Sequence, residues 1–189
     1  MRVKTLDNEL FAGKCRELED RVRTSGFVPD AVVGIAKGGD FVAAQMYSGV
    51  PHVSVSCRRP STAVKDKAGA LMRLIRRCPL WVRDGLRMFE ARFFACRQGR
   101  PRHPVFDAGA VELLKKAGRV LIVDDSVDSG ATLLAVVNAI RKLQDDGAPH
   151  DVRAAVLTVT TRNPVVLPDY FLYNNYTLLR FPWSKDMTI

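Results

Sequence analysis

The chain has 189 residues, 47% of them apolar, which suits one α/β domain (residues 1–189) with an insertion and a sizeable core. No run of ~18 apolar residues occurs, and the stretch MRVKTLDNELFAGKCRELED lacks the apolar segment of a signal peptide, so a membrane span is excluded and a cytoplasmic location expected. The net charge of +9 is unevenly placed: residues 58–102 hold 13 Lys or Arg against three acids (Asp66, Asp84, Glu90), whereas the rest holds 16 basic and 17 acidic residues.

In chain order, residues 7–24 place Leu10, Phe11, Leu18 and Val22 among charges, and the spacing predicts an amphipathic helix ended by Gly26 and Pro29. AVVGIA (31–36) is a short apolar run of the buried parallel-strand type. KGGD follows it, and FVAAQMY opens a second helix. VSVS after Pro51 alternates and predicts a strand. From Ser61 to Gly99 the pattern changes. Leu71, Leu74, Ile75 and Cys78, and after Pro79 the set Val82, Leu86, Phe89 and Phe93, keep helical spacing. They predict two basic amphipathic helices, an insertion spanning 58–102. AGRVLIVDD (117–125) predicts a strand ending at the two aspartates, ATLLAVVNAIRKLQ (131–144) a helix, and VRAAVLTVTT (152–161) a strand. Two short strands fall within 170–183. Strands alternating with helices give a mainly parallel sheet. Cys15, Cys57, Cys78 and Cys96 form no CxxC pair and read as reduced packing residues. His52, His103 and His150 stand alone in the sequence, and no Walker loop, GxGxxG or HExxH motif is present.

The chemistry concentrates at Asp124–Thr132, where a strand meets a helix and where open α/β sheets bind ligands. Gly130 permits positive φ and close approach of an anion. The first-turn amides of the helix, with the hydroxyls of Ser129 and Thr132, suit a phosphate. Adjacent Asp124 and Asp125 suit a sugar diol, held directly or through a divalent cation. Asp128 does not suit a phosphate and is expected to point elsewhere. The ligand so described is a sugar phosphate.

VLIVDDSVDSGATL (120–133) resembles the phosphoribosyl-pyrophosphate (PRPP) signature of type I phosphoribosyltransferases, departing at Ser126, where an apolar residue is usual, and at Ser129, where Thr is usual. VVGIAKGGDFVA (32–43) is similar to the family's pyrophosphate loop. LPDYF and RFPW are similar to the end of purine-type members, including xanthine-guanine enzymes. The resemblance covers residues 7–57 and 117–184. It implies a Rossmann-like type I sheet flanked by helices with a C-terminal hood, and transfer of ribose 5-phosphate from PRPP to a nitrogenous base with release of pyrophosphate. It further implies a place in nucleotide biosynthesis and purine salvage. Lys37, Gly38 and Gly39 would hold pyrophosphate through backbone groups, often with a non-proline cis peptide. Asp124 and Asp125 would hold ribose hydroxyls or Mg²⁺, and Ser129, Gly130, Ala131 and Thr132 would hold the 5-phosphate. Asp128 would face the base as its general base, which favours a purine-like acceptor. Tyr170 would stack on the base with Trp183 nearby, a core or interface aromatic being the alternative for both.

Two departures matter. Purine members place a Lys after the fourth strand, whereas this chain has TVTTRNP (158–164), so Arg162 or a Thr hydroxyl would substitute. The family's flexible loop is replaced by the basic insertion. There Arg58, Arg59, Lys65 and Lys67 would meet the pyrophosphate while the helices form an altered hood or a dimer contact; a homodimer is expected. The competing class is a PRPP-sensing regulator whose basic helices bind nucleic acid. Intact Asp124, Asp125 and Asp128 favour catalysis, and a membrane-surface role is not favoured.

Overall fold

The structure is a computed structural model, and it describes residues 2–58, 102–143, 151–174 and 177–184. The chain divides into two units, Met1–Arg58 with Arg102–Ile189, and Arg59–Pro101. The helical insertion expected over 58–102 falls almost entirely outside the described residues.

Strand β1 (Arg2–Thr5) leads to helix α1 (Asn8–Thr24), whose first turn is closed by Asp7 accepting from the Leu10 amide at 2.8 Å. Phe11, Cys15, Leu18 and Val22 form its buried stripe, and Arg21 and Arg23 oppose the dipole at its end. Burial pushes the Cys15 thiol up to about 12, as suits a packing residue. β2 (Ala31–Ile35), α2 (Gly38–Ala43) and β3 (His52–Arg58) follow. After the second unit come β4 (His103–Val105), α3 (Ala108–Lys116, capped by Asp107), β5 (Arg119–Val127), α4 (Ala131–Leu143), β6 (Asp151–Val159), β7 (Tyr170–Tyr173) and β8 (Thr177–Arg180).

The main sheet has six strands in the order β4-β3-β2-β5-β6-β7, parallel throughout except for β4, which runs antiparallel to β3. Side-chain alternation along β5 divides the core. Val120 and Ile122 face α3 and α4, meeting Leu114, Leu133, Val136 and Ile140. Leu121 and Val123 face the α1 and α2 side, meeting Leu18, Val22, Val42 and Met46 together with Leu179 and Phe181 from the C-terminal region. β1 and β8 pair in parallel as a separate two-stranded sheet.

Four elements depart from the sequence expectation. β5 continues past Asp124–Asp125 to Val127, because β6 keeps pairing with it through Ser126↔Thr158 and Val127↔Val159. β1 and β4 are too short to show periodicity and form only on partners distant in the chain. α2 starts at Gly38, inside the expected turn. Among the described residues, no helix is long and apolar enough to cross a membrane.

Candidate functional site

From β2 the chain moves outward through β3 to β4, then returns to β5 and moves outward the other way. The carboxyl ends of β2 and β5 therefore flank the point where strand order reverses, the usual place for a ligand crevice in such sheets. Both predicted loops arrive there. The Ala36–Lys37 peptide is cis, and Lys37 is exposed. A Cβ at Gly38 would lie 2.2 Å from Oδ2 of Asp125, and one at Gly39 would lie 2.4 Å from the Val123 carbonyl oxygen. The KGG segment thus packs directly on the end of β5, and only glycines permit the approach. The neighbouring Asp40 accepts from the Ser54 hydroxyl at 3.0 Å and occupies the space a side chain at Gly34 would need. The signal for that contact was a glycine inside a strand.

Asp124 and Asp125 are half-buried side by side. Oδ1 of Asp124 accepts the Asp125 amide at 2.9 Å, and Oδ1 of Asp125 accepts the Ser126 hydroxyl at 3.0 Å. Burial, then the charge of Asp125 and more weakly that of Asp40, raises the Asp124 carboxyl well above its usual range. Burial also raises Asp125, although the bond from Ser126 offsets part of this. Asp128 sits apart from this pair in its contacts: its Oδ1 accepts the Thr160 hydroxyl at 3.3 Å. Burial raises its carboxyl against the opposing effects of that bond and of the Arg102 charge. A carboxyl moved towards neutrality is suited to proton transfer.

The connection from β5 to α4 has the form an anion site requires. Gly130 adopts φ 77°, and a Cβ there would lie 2.9 Å from the Val166 carbonyl oxygen. The Val165 amide donates to the Ser129 carbonyl at 2.9 Å, so the segment after β6 holds the turn from outside. Ser129 Oγ accepts the Ala131 amide at 3.4 Å, and Thr132 stands in the first turn of α4. Nη1 of Arg102 donates to Oγ1 of Thr132. Sequence reasoning passed over Arg102 because it stood as one more basic residue in a basic run, and passed over Thr160 because its partner Asp128 is distant in the chain.

The aromatic candidates separate. Trp183 stacks on Phe41 of α2 (centroids 4.5 Å, planes 24° apart) and on Phe181 (4.9 Å, 5°), with Phe11 edge-on at 4.9 Å. This cluster adjoins the KGG segment through Phe41, which is 45% exposed. In the sequence Phe41 shows only as the opening of a helix. Tyr170 has a different set of polar contacts. Tyr170 begins β7 opposite Ala155, and its hydroxyl lies 2.7 Å from both Ser25 Oγ and Arg153 Nη1. That environment corresponds to the alternative expectation of a packing aromatic. Arg162 is exposed on the segment after β6. Arg58 ends β3, and Arg59, Lys65 and Lys67 lie outside the described residues.

Comparison with known proteins agrees with this arrangement. Solved structures with the same fold include a purine phosphoribosyltransferase from Pyrococcus horikoshii Ot3 (TM-score 0.63, 21% identity, covering 98% of this chain and 96% of that one). Others are a xanthine-guanine-hypoxanthine phosphoribosyltransferase from Helicobacter pylori (0.57, 18%, 98% and 96%) and a hypothetical protein from Neisseria gonorrhoeae with bound ppGpp (0.60, 18%, 96% and 89%). Comparison with curated proteins finds no match. The sequence profile of the phosphoribosyl transferase domain matches residues 3–170. With that profile spanning the KGG loop, the Asp124–Asp125 pair and the turn before α4, the chain belongs to the phosphoribosyl transferase domain family and is a glycosyltransferase of that type.

Proposed function

We propose that the protein transfers ribose 5-phosphate from PRPP to a ring nitrogen of a purine-like base and releases pyrophosphate. The observation that carries the reading is the packing of the KGG segment on Asp125, which joins a pyrophosphate-type loop to a ribose-type acid pair. Breaking the C1–oxygen bond of PRPP builds positive charge on the ribose and negative charge on the leaving group. Backbone groups of Lys37, Gly38 and Gly39 receive the pyrophosphate. Asp124 and Asp125 hold the ribose hydroxyls, and Ser129 to Thr132 grip the 5-phosphate, so binding energy remote from C1 aligns it for attack. Asp128, oriented by Thr160, takes the proton that the attacking nitrogen loses. The acceptor ring lies against the Phe41–Trp183 stack, with Arg162 the candidate to read its polar edge.

The donor atoms suit Mg²⁺. Among the described residues no group of three or more His, Cys, Asp or Glu is arranged to hold a metal; the adjacent carboxylates of Asp124 and Asp125 would hold the ion together with substrate oxygens. Mg²⁺ characteristically binds through one or two carboxylates together with substrate phosphates, and when bound it offsets the charge developing on the leaving group.

The purine-like acceptor is supported by the retained acid at 128 and by the purine specificity named for the two phosphoribosyltransferases of like fold. The test is release of pyrophosphate from PRPP and Mg²⁺ with a panel of purines and pyrimidines. Turnover with a purine is expected; activity with pyrimidines alone, or with none of the bases, would sink this acceptor assignment.

A further inference from the structure

We propose that Arg102 belongs to the grip on the donor's 5-phosphate, acting together with Thr132; the inference rests on the phosphoribosyl-transfer reading above. Arg102 immediately precedes β4, and the antiparallel pairing of β4 with β3 fixes where it enters. Its Nη1 donates to Oγ1 of Thr132, the second residue of the 13-residue helix α4. A hydroxyl that accepts a bond from a guanidinium keeps its own hydrogen to give away. Arg102 therefore sets the Thr132 hydroxyl as a donor, in a first turn whose backbone amides have no helical partners.

Arg102 also brings a permanent charge to the place where it is needed. Asp124, Asp125 and Asp128 crowd negative charge into the connection that must admit a phosphate. Arg102 acts on that charge, since it opposes the burial-driven rise of the Asp128 carboxyl. His103 pairs with Arg58 at the end of β3 and Arg102 bonds Thr132, so the guanidinium stands between the end of β3 and the turn before α4. A planar guanidinium with several donors can hold Thr132 with one nitrogen and present another to a phosphate oxygen, a division of labour that a lysine ammonium reproduces poorly.

Calorimetric titration of the full chain tests this with three probes: ribose 5-phosphate, PRPP with Mg²⁺, and inorganic pyrophosphate with Mg²⁺. R102Q is expected to weaken ribose 5-phosphate and PRPP about 10- to 100-fold while leaving pyrophosphate within about twofold. R102K is expected to recover part of the loss. T132V should weaken the same two ligands, and combining it with R102Q should add less than the product of the separate losses. If R102Q binds ribose 5-phosphate as tightly as the wild type, Arg102 has no such role and the phosphoribosyl reading stands. Equal losses for pyrophosphate and ribose 5-phosphate, with a lowered melting temperature, would mark a structural residue and also overturn the inference. If the wild type binds neither PRPP nor ribose 5-phosphate, both readings fall.

Discussion

The two ends of the central sheet handle their acids in opposite ways. At the amino-terminal end, Asp30 and Asp151 each meet an arginine. Asp30 accepts the Arg119 amide at 2.8 Å and its guanidinium at 3.3 Å. Asp151 receives Arg153 at 2.7 Å, and Arg153 in turn donates to Tyr170 and lies over the Phe27 ring. Burial opposes the charge of Asp30, yet the bonds from Arg119 outweigh it and hold the carboxyl below its usual range. At the carboxyl end, Asp124 and Asp125 face each other, and both carboxyls move up. The acids at the amino-terminal end are matched by cations within the fold, whereas Asp124 and Asp125 are raised chiefly by burial, the pattern of a candidate functional site.

The largest expected effect breaks the carboxyl end. D125N should reduce kcat/KM by roughly a hundredfold or more, the scale of losing a group that positions charge in the transition state. The same variant should be the more stable protein. The folded-state pKa of Asp125 is raised, so the unfolded chain releases this proton first as pH increases. Asp125 therefore lowers stability as pH rises from the ordinary carboxylate value of about 4 towards the raised value, and the deficit is complete above it. Melting curves should place D125N above wild type at neutral pH, with the gap closing near pH about 3 to 4. A D125N protein that melts lower at every pH would contradict this account of the strand end.

A smaller effect is expected at the aromatic cluster. F41A should raise the acceptor KM roughly fivefold, near the lower end of what an aromatic contact to a base contributes, without altering the donor KM. Steady-state kinetics with each substrate varied separately would show it. The smallest effect on turnover belongs to the amino-terminal end. Y170F removes the hydroxyl shared by Ser25 and Arg153 and should cost about 1 kcal/mol of stability by denaturant titration. Its turnover should stay within about twofold of wild type, because the bonds lost hold the fold alone. A large fall in kcat for Y170F would dissolve the distinction between the two ends.

The two loops assigned to the donor were legible as strand-end loops in the sequence because each is local. Asp124 to Thr132 and Lys37 to Gly39 are contiguous stretches whose residue types state their chemistry, and the apolar run before each marks a strand end. The acceptor side and the second layer of contacts were less legible, because they are made by residues far apart in the chain. Phe41 meets Trp183, Thr160 meets Asp128, and Arg102 meets Thr132. Tyr170 is alike in this: its hydroxyl bonds Ser25 and Arg153, residues a local pattern does not connect to it. β1 and β4 escaped notice for the same reason, being strands only by virtue of their partners.

The contact between Gly38 and Asp125 also bears on how this protein can change. The space a side chain at 38 would need is already filled by the carboxyl at 125. An alanine at 38 is therefore acceptable only beside a smaller residue at 125, and a smaller residue at 125 removes the acid. The two positions are epistatic. Single steps away from glycine meet an immediate penalty, and the double step gives up the acid pair. Change at position 38 is therefore tied to the size of the residue at 125.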